Sequence, residues 1–309
     1  MRVVVAGLGI QGRKRLKIAG ADIVATVDPV VADAQYKTIQ EVPLTAYDAV
    51  LACVPDDAKA SLLRYLLSNG KHVLVEKPLI ASPADMQDIH KLALSSKAVC
   101  YTAYNHRFEP HIESVRSLIQ GKTLGKIYLV KIFYGNGTAR DVRNSQWRDK
   151  GMGVVPDLGS HLLDMVDFIF DEKPEFFLRE AFCFENKAFD YAKLCSRENK
   201  KPYYELEMTL LSWRNTFRLD IFGEMGSAHI DCLCKWGPSV LQIRKRVFPS
   251  GRPEEDKKVL ECADPTWQKE YDYFKKLCAK GSGSNIENDL WIHAALENAA
   301  RSAHERGFV

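Results

Sequence analysis

The sequence predicts an α/β fold in two parts: a doubly wound parallel sheet, then a half-buried, antiparallel one. Three observations carry that prediction. Short, almost wholly apolar runs recur up to about residue 100, as strands covered on both faces do. Helical patterns of about 10 to 15 residues separate them, as crossovers between parallel strands require. Beyond Tyr104 the pattern becomes strict apolar–polar alternation, the period of a sheet with one face on a core.

In order, Val3 to Ala6, Ile23 to Val27, Ala49 to Cys53, His72 to Glu76 and Ala98 to Tyr101 read as strands. Gln11 to Ala19, Asp57 to Ser68 and Pro83 to Leu94 read as the helices between them. Asp57 and Ser82-Pro83 are start signals, and Asn69-Gly70 is a stop. The domain boundary is placed so that residues 1–103 form the first domain and 104–309 the second. After a helix at His111 to Gln120, Tyr204 to Leu210 and Phe217 to Ile221 alternate apolar with polar. Gly223 and Gly226 bracket a turn before Ser227 to Ile230. The polar stretches Ser196 to Lys201 and Pro249 to Lys258 are expected as exposed loops. Two helices follow, Trp267 to Lys280 and Glu287 to Arg306.

A chain of 309 residues is long enough for two domains with cores of their own. Hydrophobic residues make up 46% and charged ones 27%, which suits a globular protein. Lys and Arg total 43 against 40 Asp and Glu, and so small an excess gives no reason to expect nucleic acid as the main partner. No apolar run is long enough to span a bilayer, so no membrane partner is expected. The apolar run Val3 to Ala6 is too short for an export signal. The eight cysteines are scattered, and we read them mainly as reduced, buried thiols of a cytoplasmic protein. A zinc site from Cys232, Cys234 and a distant histidine is the alternative.

The first strand runs into Gly7-Leu8-Gly9-Ile10-Gln11-Gly12. Gly7 permits a tight turn, Gly9 lets a pyrophosphate approach the backbone, and Gly12 lets the helix pack against the sheet. Ile10 and Gln11 open that helix, whose free N–H groups and positive dipole end suit phosphates. The second strand ends in Asp28 at the spacing of a ribose-binding acid. A carboxylate there accepts hydrogen bonds from ribose hydroxyls and repels a 2′-phosphate, and Pro29-Val30-Val31 supplies no arginine. The cofactor expected is NAD, in preference to NADP. Arg13 is close enough on the helix to aim at the phosphates, whereas Lys14 and Arg15 read as a solvated face.

Glu76-Lys77-Pro78 ends the fourth strand, on the edge of a parallel sheet that faces ligands. Further on lies Asp157-Leu158-Gly159-Ser160-His161-Leu162-Leu163-Asp164. With a helix starting near Gly159, His161 falls in its first turn, Asp164 one turn on, and Asp157 in a capping position. Carboxylates beside an imidazole fix its tautomer and raise its basicity; an Asp/His/Asp metal site is the alternative.

These segments, with Gly70 to Pro78, Tyr104-Asn105-His106-Arg107-Phe108, Trp147-Arg148 and Ala299 to Ala303, resemble the Gfo/Idh/MocA oxidoreductases over nearly the whole chain. The resemblance implies an N-terminal Rossmann dinucleotide-binding domain and a C-terminal α/β domain with a large, open, mostly antiparallel sheet. It implies a homodimer or homotetramer built through that sheet. It implies Lys77 and His161 as the catalytic pair, with Asp157 as a supporting or substrate-binding acid. Asn105 and Arg107 would lie near nicotinamide and substrate, and Cys53, Val54 and Pro55 would run beside the cofactor, as would Glu76. Trp147 and Arg148 join Lys77, Arg107, Asp157 and His161 as candidate substrate contacts, and no metal is called for. Two positions depart from the family pattern. Lys59 stands where a histidine often follows the proline loop and is the candidate to replace one cofactor contact; Gly151-Met152-Gly153 alters the glycine run before the aspartate.

The activity implied is hydride transfer between NAD and a hydroxyl-bearing carbon of a sugar, sugar nucleotide or cyclitol. The alternatives are a non-catalytic regulator that senses NAD or a sugar on the same fold, and a reductase of a non-sugar substrate. A regulator has no need of the proton-transfer pair Lys77 and His161.

Overall fold

The computed structural model describes residues 1–145, 148–197 and 202–307. It divides into two compact units, Met1–Asn105 with Trp267–His293, and His106–Thr266 with Ala294–Val309.

The first unit is built on β1 (Val3–Ala6), β2 (Ile23–Val27), β3 (Ala49–Ala52), β4 (His72–Glu76) and β5 (Cys100–Ala103), with α1 (Ile10–Ala19), α2 (Asp56–Ser68) and α3 (Pro83–Ser96) as crossovers. All pairings are parallel, in the order β2-β1-β3-β4-β5. Strand side chains alternate between faces, and here both faces are buried. Val4, Ala6, Val50, Ala52, Val73 and Val75 pack on Leu63, Leu66, Met86 and Ile89 of α2 and α3. Val3, Val5, Leu51, Leu74 and Tyr101 meet Tyr271, Phe274 and Leu277. These last three come from α7 (Thr266–Lys280), so a late helix completes this core. The expected strands and helices are found to within two residues of their bounds.

The strand order reverses at β1, whose neighbours are β2 and β3, and ligands of such sheets bind at that switch point beyond the strand C-termini. The sequence meets the geometry there. Gly7 has φ +90, and a Cβ on it would lie 2.3 Å from the Cys53 carbonyl oxygen. A Cβ on Gly12 would lie 1.8 Å from the Gly7 carbonyl oxygen. No other residue fits at either position.

The second unit carries one eight-stranded sheet: β6 (Ile127–Gly135), β7 (Phe176–Phe182), β8 (Tyr191–Ser196), β9 (Tyr203–Thr209), β10 (Thr216–Gly223), β11 (Gly226–Asp231), β12 (Ser239–Val247) and β13 (Gly251–Leu260). Its order is β13-β12-β11-β10-β6-β9-β8-β7, antiparallel throughout except for β6 with β9. Alternate residues such as Val130, Ile132, Tyr204, Leu206, Met208, Phe217, Leu219 and Ile221 are buried. α4 (Pro110–Gln120) and α6 (Ser160–Phe170) contribute Ile112, Val115, Leu162, Leu163 and Val166 to the buried set. The other face is polar and ionic: Lys193 lies 2.8 Å from Glu205, and His229 lies 2.6 Å from Asp220. A short helix, α5 (Ala139–Arg143), follows β6, and the division between the units falls inside α8 (Ile286–Glu305).

Three expectations are corrected. Pro249 to Lys258 is not a loop; its charged residues form most of the edge strand β13, held to β12 by backbone pairing and by Arg244 on Glu255 at 2.9 Å. Both of its faces are solvated, so no alternation marked it. The cysteines are not mainly buried: Cys100, Cys195 and Cys234 are, but Cys183 and Cys262 are exposed and the rest lie between. Arg15 is not solvated; it is 1% exposed. Of the expected loop at Ser196 to Lys201, residues 198–201 lie outside the described residues, and Ser196 ends β8.

Candidate active site

In the first unit, the start of α1 is open. Gly9 caps it without a side-chain hydrogen bond, the first turn has no acid, and nothing lies within 4 Å of a Cβ built on Gly9. Ile10 is 89% exposed beside it, and Gln11 is exposed as well. Uncapped N–H groups facing open space, at a positive helix end, make a cradle for a pyrophosphate. The residues fit a dinucleotide.

Asp28 is 9% exposed at the end of β2, and its carboxylate accepts hydrogen bonds from the Leu8 N–H at 2.7 Å and from the Val30 and Val31 N–H groups at 2.9 Å each. A carboxylate offers about four acceptor sites, so about one is left for a ribose hydroxyl. Burial by itself pushes this carboxyl up, but the three backbone donors outweigh it and hold the group below the ordinary carboxylate range. A group whose proton affinity falls on folding stabilises the fold above its unfolded range and loses that contribution as pH falls through its folded one. Asp28→Asn is therefore expected to lower stability by on the order of 1–2 kcal/mol at neutral pH. Denaturant titrations of the two proteins should converge as pH falls below the ordinary carboxylate range.

Cys53, Val54 and Pro55 follow β3, next to the glycine turn, and Cys53 is half-buried. Arg13 points to Asp33 at 3.6 Å. Arg15 reaches inward: its guanidinium lies 2.7 Å from Glu76 and 2.7 Å from Glu270, and 4.3 Å over the Trp267 ring. The Glu76 of the Glu-Lys-Pro element is thus held by the same helix that offers its start to phosphate.

Lys77 is half-buried and joined to Pro78 by a cis peptide bond. Lys59, expected as a substitute cofactor contact, is taken up otherwise. It is 2% exposed, and its ammonium donates to the Pro78 carbonyl at 2.6 Å and pairs with Asp56 at 2.6 Å. It supports the backbone just after Lys77.

In the second unit, His161 is 7% exposed in the first turn of α6, as expected from spacing. Asp157 does not cap that helix. It lies within a π-helical turn, Val155–Gly159, that runs straight into α6, and its carboxylate is 3.2 Å from Arg148. Asp164 is on α6 and buried, and it accepts from the Arg107 guanidinium at 2.8 and 3.0 Å. Arg107, expected near substrate, ties the Asn105–Phe108 turn to the helix of His161. Asn105 is 8% exposed at the end of the first unit. Trp147 lies outside the described residues.

Sequence reading missed an aromatic cluster around His161. His106 stacks on it with ring centroids 4.2 Å apart and planes 20° from parallel. Tyr134 of β6 lies 6.0 Å from His161, and Trp236 stacks on Tyr134 at 5.5 Å. No sequence spacing signals this, since the rings come from three separate stretches. Among the described residues no group of three or more His, Cys, Asp or Glu is arranged to hold a metal ion.

The model of the oxidoreductase family's NAD-binding Rossmann fold matches residues 1–104, and that of the GFO/IDH/MocA C-terminal domain matches residues 112–229. The chain belongs to the Gfo/Idh/MocA oxidoreductase family. The resemblance read from Gly7 to Gly12, Glu76-Lys77-Pro78 and the Asp157 segment is thereby established, and with it the NAD-binding first domain. Inositol 2-dehydrogenase of Rhizobium meliloti is 29% identical over 166 residues, 50% of this chain and 49% of that one. The chain spans about half or less of the length of the first curated relatives it matches. A putative NADPH-dependent oxidoreductase of Desulfitobacterium hafniense superposes with a TM-score of 0.86 at 17% identity, over 98% of this chain and 95% of that one. Levoglucosan dehydrogenase in complex with NADH gives 0.83 at 17%, over 98% and 97%. At such identities these two Gfo/Idh/MocA-like structures speak for the fold alone. No described helix is long and apolar enough to cross a membrane.

Proposed function

We propose that this chain is an NAD-dependent dehydrogenase that oxidises a hydroxyl-bearing carbon of a sugar, sugar nucleotide or cyclitol, or reduces the corresponding carbonyl. The observation that carries the reading is His161, a buried imidazole set among aromatic rings at the head of α6, in a chain whose first unit presents an open phosphate cradle. A relative named inositol 2-dehydrogenase supports the substrate class.

When bound, NAD takes up or returns the hydride. The chain's own residues handle the proton and the charge. His161 accepts the hydroxyl proton, the general-base role an imidazole most often takes. Lys77 hydrogen-bonds the same oxygen and stabilises the charge that develops on it. Asp157 and Arg148, 3.2 Å apart, serve as substrate contacts. Arg107 acts through Asp164 to hold the helix of His161. Gly7, Gly9, Ile10, Gln11, Gly12 and Asp28 hold the dinucleotide, flanked by Cys53, Val54, Pro55, Glu76 and Asn105.

The reading is tested by following nicotinamide absorbance with myo-inositol, glucose 6-phosphate, levoglucosan and a nucleotide-linked sugar. Turnover of none of them, with NAD demonstrably bound, would sink it and favour the sensing regulator. Melting curves rank the cofactors. NAD at 100 times its dissociation constant should stabilise the protein by about 2.7 kcal/mol. NADP at the same concentration should do much less, because Asp28 repels its 2′-phosphate; an equal shift would overturn that preference.

We also propose that the polar face of the large sheet pairs two or four copies. Its half-exposed Phe222 lies beside the His229–Asp220 pair, an apolar centre with an ionic surround. Light scattering of Phe222→Asp against the parent checks it, with a smaller particle expected. A cytoplasmic location is proposed from the scattered cysteines.

A further inference from the structure

His161 does not stand against an ordinary apolar core. His106 and Tyr134 pack on it and Trp236 packs on both of them, and three of the four rings are at most 8% exposed. Trp236 differs from them in being only half-buried. It is edge-on to His106 at 6.1 Å and 88°, and nearly parallel to Tyr134 at 29°. Its backbone is fixed. The Cys234–Trp236 turn is tied down by Glu109, a carboxylate with 0% exposure, which accepts the Cys234 N–H at 2.8 Å and the Cys234 thiol at 3.1 Å. A half-exposed indole held this firmly costs little ordering entropy when something docks on it. The Lys235 ammonium lies 5.0 Å from the indole centroid.

Carbohydrate rings in their cyclic form have one face of C–H groups and an edge of hydroxyls. The C–H face suits an indole, and the hydroxyl edge suits buried polar atoms. Burial pushes the Tyr134 phenol up, and Asp157 pushes it the same way, so the ring keeps its O–H as a donor.

We propose that Trp236, backed by Tyr134, is the specificity-determining platform on which the C–H face of a cyclic sugar or cyclitol lies, so that a hydroxyl of that ring is presented to His161. This rests on the dehydrogenase reading and narrows it to ring-form substrates over open-chain polyols.

The test compares the parent, Trp236→Leu and Trp236→Phe on myo-inositol, levoglucosan and the open-chain polyol sorbitol. Both turnover with NAD and direct calorimetric binding are measured. For the ring compound that the parent uses, Trp236→Leu should raise KM at least tenfold, leave kcat within about threefold and leave NAD affinity unchanged. Trp236→Phe should recover most of the loss. The proposal is overturned if Trp236→Leu keeps the parent's KM, if kcat and NAD affinity collapse with it, or if sorbitol is used as well as the rings. Calorimetry separates the two levels. Ring binding that is lost in Trp236→Leu, without turnover in the parent, keeps the platform and rejects the dehydrogenase. No ring binding by the parent rejects both.

Discussion

His161→Ala should lower kcat by about 100- to 10,000-fold, the usual contribution of a positioned proton-transfer group. KM and the melting shift with NAD should stay near the parent's. The expected split follows from where the residue sits. His161 is at the first turn of α6, behind the stacked His106, and distant in sequence from every residue assigned to the dinucleotide. Removing the imidazole takes away the proposed proton acceptor but leaves Gly9 and Asp28 in place. Lys77→Met should act in the same sense, since methionine fills similar space without a donor. Steady-state kinetics with the best sugar of the panel measures both. Turnover at the parent's rate by either variant, with NAD bound, would show the pair to be wrongly assigned. The pH–rate profile separates their roles: loss of the limb on the acid side identifies the base.

Arg15→Met should destabilise the protein by about 3–5 kcal/mol, a fall in melting temperature of roughly 6–10 °C. Burial alone would push the Arg15 guanidinium down, but Glu270 and Glu76 outweigh it and hold the group above its ordinary range. Deleting the cation leaves two carboxylates, one of them 0% exposed, without their bridge. The double variant Arg15→Met, Glu270→Gln should recover part of the loss, because the residual charge is then halved. A single Glu270→Gln as harmful as Arg15→Met, with no recovery in the double variant, would show that the triad is not a unit. Weaker NAD binding should accompany the loss, since Arg15 also fixes α1, whose start forms the cradle.

The glycine turn and the parallel strands were legible in the sequence because each depends on neighbours within one crossover unit. Gly7 needs positive φ, and Val3 to Ala6 need burial on both faces, and both needs show as residue type. Arg15 was misread for the opposite reason. It sits in a basic run, and what buries it, Glu270 and Trp267, arrives only with α7. Strand β13 was hidden because an edge strand solvated on both faces has the composition of a loop. His161 was found through spacing, but the rings around it come from β6 and from the Cys234–Trp236 turn, which only tertiary packing assembles. Arg107 was singled out as a substrate contact, and spacing said nothing of its bond to Asp164.

The composition of β13 bears on how the protein avoids growing without limit. An eight-stranded sheet ends in unpaired backbone groups, which can template a further strand from another molecule. On β13 these groups run beside Arg252, Glu254, Glu255, Asp256, Lys257 and Lys258, all but uniformly exposed and interrupted by Pro253. An incoming strand would have to strip water from these charges and would meet a residue with no N–H. Lateral addition at this edge is thereby discouraged, which is compatible with the face-to-face pairing proposed above. Isologous contacts close on themselves by symmetry, whereas heterologous strand addition at successive edges propagates into fibres.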